Sequence, residues 1–240
     1  MKFKYLVFTL VIFSILSSCQ PGPKDNKLTR EEKKEGWKLL FDGKTTDGWR
    51  GYNMTEIPSA WKVVDGTLMS AGEGGDIGGD IITIDKYENF DLKIDWKLAP
   101  GGNSGILYHV MEGPGLKSTY FSGPEYQLID DIGFPGGVTP HNSTGADYAM
   151  TPADTTQKEL NPVGQWNSSR IIFDNGKVIH YLNGKKIVEF TAWNDEWEEK
   201  VNKGKWKNYP AYGKAKSGHI GLQDHGSKIW FKNIKTKELQ

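Results

Sequence analysis

The sequence predicts an all-β domain, a sandwich of two antiparallel sheets, on three observations. Short strand-like segments recur along residues 36–240, tight-turn residues join them, and one segment alone carries helix signals. Phe90 to Leu98 alternates apolar and charged residues without a break, the pattern of a strand with one buried and one wet face. Gly105 to Met111 and Tyr126 to Ile129 are apolar on both faces and read as central strands. Arg170 to Phe173, Val178 to Leu182 and Lys186 to Phe190 are joined by Asp174-Asn175-Gly176 and Asn183-Gly184, which tolerate the positive φ of hairpin turns. His219 to Gln223 and Lys228 to Ile234 add two more strands around Asp224-His225-Gly226-Ser227. Asn194 to Asn202 is the helix candidate, with Asn194 as N-cap and acids in the first turn.

Composition narrows the function. The 240 residues carry 30 basic and 30 acidic side chains, a balance that argues against a nucleic-acid partner. The single cysteine excludes a disulfide framework and a cysteine-cluster zinc site. Cys19 ends Leu16-Ser17-Ser18-Cys19, behind a basic start at Lys2 and Lys4 and an apolar run from Tyr5 to Leu16. This is the layout of a secretory signal, too short to span a bilayer comfortably, and its end resembles a bacterial lipobox. Residues 1–18 are therefore expected to be removed and Cys19 to be lipidated. The protein would then be anchored in the cell envelope, periplasmic or outer-membrane facing, meeting the membrane through its lipid only. Residues 19–35 are polar and read as a flexible tether ending in a helical turn, and 36–240 as one folded domain.

Several motifs occur in a fixed order. They are Trp37-Lys-Leu-Leu-Phe-Asp-Gly-Lys with Gly48-Trp49, Trp61-Lys-Val-Val-Asp-Gly-Thr-Leu, and Asp80-Ile-Ile-Thr. Gly102-Asn-Ser-Gly-Ile, Glu125-Tyr-Gln-Leu-Ile-Asp, Gly164-Gln-Trp-Asn and His180-Tyr-Leu-Asn-Gly follow, then Gly218-His-Ile-Gly-Leu-Gln-Asp-His-Gly and Trp230-Phe-Lys-Asn-Ile. Together they make residues 37–237 similar to the 3-keto-disaccharide hydrolase family, a domain abundant in Bacteroidetes lipoproteins. The resemblance implies a concanavalin A-like jelly-roll sandwich, shaped like laminarinases and legume lectins. It also implies action on glycosides whose sugar carries a ketone at C3.

Glu125-x-Gln127-x-x-Asp130 is the sharpest candidate constellation. Glu125 and Gln127 share a face of a regular strand, and one bulge would bring Asp130 to that face. Retaining β-glucanases of the implied fold carry Glu-x-Asp-x-x-Glu there. Gln127 and the shorter Asp130 depart from it, which speaks against ordinary double displacement. His219, Gly221, Gln223 and His225 also share a face by alternation, as expected for a strand lining a groove. His109 continues the strand of Asn103, with its ring expected on the Gly105 and Leu107 face. Catalytic candidates are therefore Glu125, His109, His225 and Asp130. Candidates for binding sugar are Gln127, Asn103, Gln223, Trp49, Tyr108 and His141, the last in a Gly- and Pro-rich loop over 131–165 that reads as the groove's rim. His180 reads as structural, and Trp37, Phe41, Trp61, Trp96 and Trp230, which lie in strand-like patterns, read as core.

A C3 ketone acidifies the hydrogen at C2, so a base can remove it and the enolate can expel the C1 aglycone before water adds back. Glu125 or a histidine would be that base. No cofactor motif stands out: the glycines at 74–79 lack a following P-loop lysine. The one cofactor to weigh is a divalent metal, for which His109, Glu125, Asp130 and His225 mix nitrogen and oxygen donors. Two other functions suit the same fold: a laminarinase-type retaining glycosidase and a carbohydrate-binding protein without catalysis.

Overall fold

The computed structural model describes residues 24–73 and 79–240. The first strands are β1 (Lys38–Leu39), β2 (Trp49–Gly51), β3 (Trp61–Val64), β4 (Thr67–Ser70) and β5 (Ile81–Thr83). The central ones are β6 (Phe90–Leu98), β7 (Asn103–Val110), β8 (Glu125–Ile129), β9 (Asn167–Asp174), β10 (Lys177–Leu182) and β11 (Lys185–Thr191). The chain ends with β12 (His219–Leu222) and β13 (Ile229–Glu238). Helix α1 is Arg30–Lys34 and helix α2 is Asp195–Lys203. The larger sheet runs β11-β10-β9-β6-β13-β4-β3, with β1 also on β13, and the five-stranded sheet runs β2-β5-β12-β7-β8. Every strand pairing is antiparallel, as the jelly-roll sandwich requires.

Alternation builds the core between the sheets. Phe90, Leu92, Ile94, Trp96 and Leu98 point inward from β6 against Ile106, Tyr108, Tyr126, Leu128, Ile220 and Leu222 of the smaller sheet. Each such side chain stabilises the fold by about 1.5–3 kcal/mol on burial. The hairpins close as their residues dictate: Asn175 and Gly176, and Asn183 and Gly184, all have positive φ. Asn194 caps α2, its side chain accepting from the Trp197 N–H at 2.8 Å.

Three expectations need correction. From Asp25 onward the supposed flexible tether is bonded to the larger sheet, because Asn26 exchanges hydrogen bonds with Asn233 at 2.6 and 2.9 Å. Helix α1 inside it carries a capping box between Thr29 and Glu32. Trp230, expected in the core, points outward from β13 and is half-buried beside Lys97. Trp49 and Tyr108, expected to meet sugar, are buried instead: the Trp49 indole donates to the Leu40 carbonyl at 2.6 Å, and Tyr108 lies in the core.

Among the described glycines the closest approach to another segment's backbone is at Gly218, where a Cβ would sit 2.4 Å from the His109 carbonyl carbon. The obstacle is backbone, which cannot swing aside. Gly218→Ala is expected to cost roughly 2–3 kcal/mol, read as a lower urea midpoint. An unchanged midpoint would show that the two strands can part.

Candidate functional site

Outward-facing residues of the smaller sheet and of the segment that follows β12 form the floor of a cleft of ≈ 140 Å³: Asn103, Glu125 and Gln127 from the sheet, Gln223 and His225 from beyond β12. Its wall is Tyr120, Tyr148, Lys205 and Tyr209. Strand register explains the floor. β7 pairs with β8 so that Gly105 lies opposite Gln127 and Leu107 opposite Glu125, while the Gln223 N–H donates to the Gly105 carbonyl at 3.0 Å. Gly105 is the small residue that makes room, since a Cβ there would sit 2.3 Å from Glu125 Oε1.

Glu125 is 3% exposed. Burial pushes its carboxyl up to about 8; Lys205 opposes that shift and the Asp80 charge adds to it. It is thus mostly protonated at neutral pH and becomes a comparatively strong base just above it. Gln127 is fixed, its amide donating to Asn103 Oδ1 at 2.8 Å and to the Ser104 carbonyl at 3.0 Å. Gln223 differs, because its side-chain oxygen is buried without a hydrogen-bond partner. An orphaned acceptor at a cleft floor suits a ligand hydroxyl.

The wall is cationic and aromatic. Lys205 donates to the Tyr148 hydroxyl at 3.0 Å and lies 4.2 Å from that ring's centroid and 4.8 Å from that of Trp206. Trp206 is anchored in turn by stacking on Tyr212 at 4.1 Å. Tyr148 comes from the 131–165 loop, whose backbone flanks β8: the Tyr148 N–H donates to the Glu125 carbonyl at 3.0 Å. Asp80 ties two edges together, accepting the Asp224 N–H at 3.0 Å and the Thr119 hydroxyl. Those partners adjoin His225 and Tyr120 in sequence.

Several expected site residues lie elsewhere. His109 has φ 52°, so the chain turns its ring away from the cleft and against Phe173, at 4.3 Å between centroids. Burial lowers its pKa to about 4 against the opposing bond to the Glu88 carbonyl, which removes it as a proton shuttle near neutral pH. The bulge expected before Asp130 is absent. Asp130 closes the following turn, accepting N–H groups from Gly101 at 2.8 Å, Gly133 at 2.8 Å and Ile132 at 3.1 Å. Burial works to raise its pKa, but those bonds outweigh it and hold the carboxyl below its usual range. His141 is exposed in the loop and does not line the cleft. His219 bonds the Thr83 carbonyl at 2.7 Å, and His180 is structural as expected, bonded to the Gly145 carbonyl at 3.0 Å.

His109, Glu125, Asp130 and His225 therefore do not assemble as metal ligands, and no other group of three His, Cys, Asp or Glu does so among the described residues. The acidic, Gly-rich stretch from Glu73 to Asp80, whose sequence loosely resembles an oxygen-ligand loop, lies partly outside those residues. Lys205 and Tyr209 were not anticipated. The only sequence signal near them is the cluster of Trp193, Trp197 and Trp206, which marks a packed insert without revealing where it packs.

A family model described as a 3-keto-alpha-glucoside-1,2-lyase-like domain matches residues 36–237. The chain belongs to that family. A 3-keto-disaccharide hydrolase of Bacteroides thetaiotaomicron is 34% identical over 231 residues, covering 85% of this chain and 79% of that protein. A Parabacteroides distasonis crystal structure, described as a candidate glycosyl hydrolase, is 43% identical with a TM-score of 0.85, over 90% of this chain and 100% of that one. The fold alone extends further: the carbohydrate-binding module CBM66 of Bacillus subtilis superposes with a TM-score of 0.52 at 10% identity, over 80% of this chain and 96% of the module. Within the lyase-like domain family, this member's cleft-facing carboxyl, lysine and amides are the parts with chemistry to offer.

Proposed function

We propose that this carbohydrate-active, glycoside hydrolase-type protein cleaves 3-keto-glycosides by elimination and rehydration. The observation that carries the reading is Glu125, a solitary buried carboxyl with a pKa raised to about 8 on the cleft floor. As carboxylate it removes the C2 proton of a sugar whose C3 is a ketone. The electron pair passes into a C2–C3 enolate, whose oxygen gains charge and is stabilised by Lys205 and the Tyr148 hydroxyl. The enolate then returns its electrons to re-form the C3 carbonyl, a C1–C2 double bond forms, and the C1–O bond breaks. His225 protonates the departing oxygen. Water adds back at C1, passing its proton to His225, which gave one up to the aglycone, and Glu125, its proton exchanged with solvent, protonates C2 to give the free 3-keto sugar, with both groups restored. Gln223 accepts a sugar hydroxyl, and the tyrosine rings offer apolar faces for the pyranose.

Retaining hydrolysis is less well supported, because Glu125 is the only carboxylate among the described residues lining the cleft. A purely sugar-binding role leaves the isolated buried acid unexplained. The test pairs a 3-oxidised glucoside with its ordinary parent in D₂O. Cleavage of the oxidised sugar alone, with deuterium at C2 of the product, is expected. Cleavage of only the parent, cleavage of neither, or a product without deuterium would reject the proposal.

Lys205 gives a pH-dependent check. Its charge lowers the Glu125 pKa, so Lys205→Met should move the acidic limb of kcat/KM from about pH 8 to higher pH. It should also cut turnover roughly 10²-fold through the lost enolate partner. An unmoved limb would separate Lys205 from Glu125.

We also infer that Cys19 is lipidated and that the protein works tethered in the cell envelope. The supporting observation is the basic, apolar and small-residue order of residues 2–19.

A further inference from the structure

The chain enters the described domain on the side opposite the cleft. Lys93, Asp95 and Lys97 alternate with the core residues of β6, and so point outward from the larger sheet. Residues 25–37 lie across that outward face. Asp25 pairs with Lys232 at 2.9 Å, Glu32 pairs with Lys235, and Trp37 lies beneath Lys93 at 4.3 Å. The cleft opens from the outward face of the other sheet, where Glu125, Gln127 and Gln223 alternate with the core residues Tyr126, Leu128 and Leu222. Two packed sheets, about 10 Å apart, separate entry point and cleft.

Five residues, Gln20 to Lys24, connect Cys19 to Asp25. At full extension they reach about 20 Å. A domain of this size is about twice that across. A leash so short, attached on one broad face, keeps that face toward the anchor.

The same face has the chemistry of a membrane contact. Lys97 lies 5.3 Å from the Trp166 ring and 4.7 Å from that of Trp230, and Lys232 lies 4.5 Å from Trp166. Half-buried indoles beside ammonium groups suit the boundary of headgroup and water. Asp25 and Glu32 are already paired with Lys232 and Lys235, whereas Lys24, Lys27 and Lys97 have no acidic partner among the described residues. Lys24 and Lys27 are exposed beside a hollow of ≈ 200 Å³ that they line with Lys93, Lys235 and Asp95, four ammonium groups against one carboxylate, an arrangement complementary to lipid phosphate.

We propose that, once lipidated, the protein rests the outward face of its larger sheet on an anionic membrane surface and holds the cleft away from the bilayer. This rests on Cys19 being the anchor.

The experiment uses the full chain, made in a lipidating bacterial host. It is placed in vesicles of three parts phosphatidylcholine to one part phosphatidylglycerol, with the same protein in neutral detergent as reference. Lysine acetylation is then followed by mass spectrometry. Lys24, Lys27 and Lys97 should be protected at least about threefold in vesicles, while Lys205 at the cleft labels equally in both. The mass of the N-terminal peptide reports acyl chains on Cys19 independently. Acylated protein with unprotected Lys24, Lys27 and Lys97, or with protected Lys205, overturns the orientation and leaves the anchor standing. Absence of acyl chains overturns the anchor and the orientation with it.

Discussion

Glu125→Gln is expected to reduce cleavage of a 3-keto-glucoside by more than about 10³-fold while making the protein more stable at alkaline pH. The first half follows from the proposed chemistry, since an amide cannot take the C2 proton. The second follows from burial. The carboxyl titrates at about 8 in the folded protein against 4.5 when unperturbed, so the folded state binds its proton more tightly than the unfolded chain. Below pH 4.5 the group is neutral in both states and costs nothing. Between pH 4.5 and 8 the unfolded chain ionises first, and native stability falls by roughly 5 kcal/mol before levelling off. Gln has no such window. The variant should therefore match the wild type at pH 4 and melt on the order of 10 °C higher at pH 9. Equal stability of the two proteins at both pH values would show that Glu125 is not held in a desolvated state. Loss of stability with loss of activity would make Glu125 a structural residue.

That pairing of gain and loss has a physical origin. A buried carboxyl with no compensating bond is disfavoured in the fold and is useful for proton chemistry for the same reason. Asp147 offers a contrast within the molecule. It is fully buried, both side-chain oxygens lack partners, and burial drives its pKa well above the usual range. It does not line the cleft of Glu125, however.

Much of this was legible in the sequence because strands obey a period of two. Alternation put Glu125 and Gln127 on one face and Gln223 and His225 on another strand's matching face, and the structure brings them to one cleft. The Asn-Gly turns fixed the β9-β10-β11 hairpins for an equally local reason. Errors arose where one residue broke the period. Counting puts His109 with Gly105 and Leu107, but its left-handed φ of 52° sends the ring to the opposite side. Asp130 reaches the face of Glu125 only through a bulge, which β8 lacks. A strand-like pattern points to a core position for Trp230, but Ile229 and Phe231 take the inward positions of β13. Lys205 and Tyr209 escaped because nothing local tells where an insert docks. Their position depends on Trp206 stacking on Tyr212, a long-range consequence of the whole core.

Gly105→Ala should separate the geometry of the site from its chemistry. The methyl group would meet Glu125 Oε1 at 2.3 Å, Cδ at 2.8 Å and Cγ at 2.9 Å. All three atoms belong to one side chain that can rotate away, in contrast to the rigid backbone beside Gly218. Gly105 also lies within β7 at an ordinary strand φ, so alanine suits the backbone better than glycine does. The fold should thus survive, with a urea midpoint within about 1 kcal/mol of the wild type. Activity should not, because a carboxylate displaced by even about 1 Å from the C2 proton loses roughly 10²-fold in rate. The loss should fall on kcat more than on KM, since Gln127, Gln223 and the tyrosines still hold the sugar. Wild-type kcat in a well-folded Gly105→Ala protein would mean that the carboxyl works from another rotamer, and that the close approach at Gly105 serves packing alone.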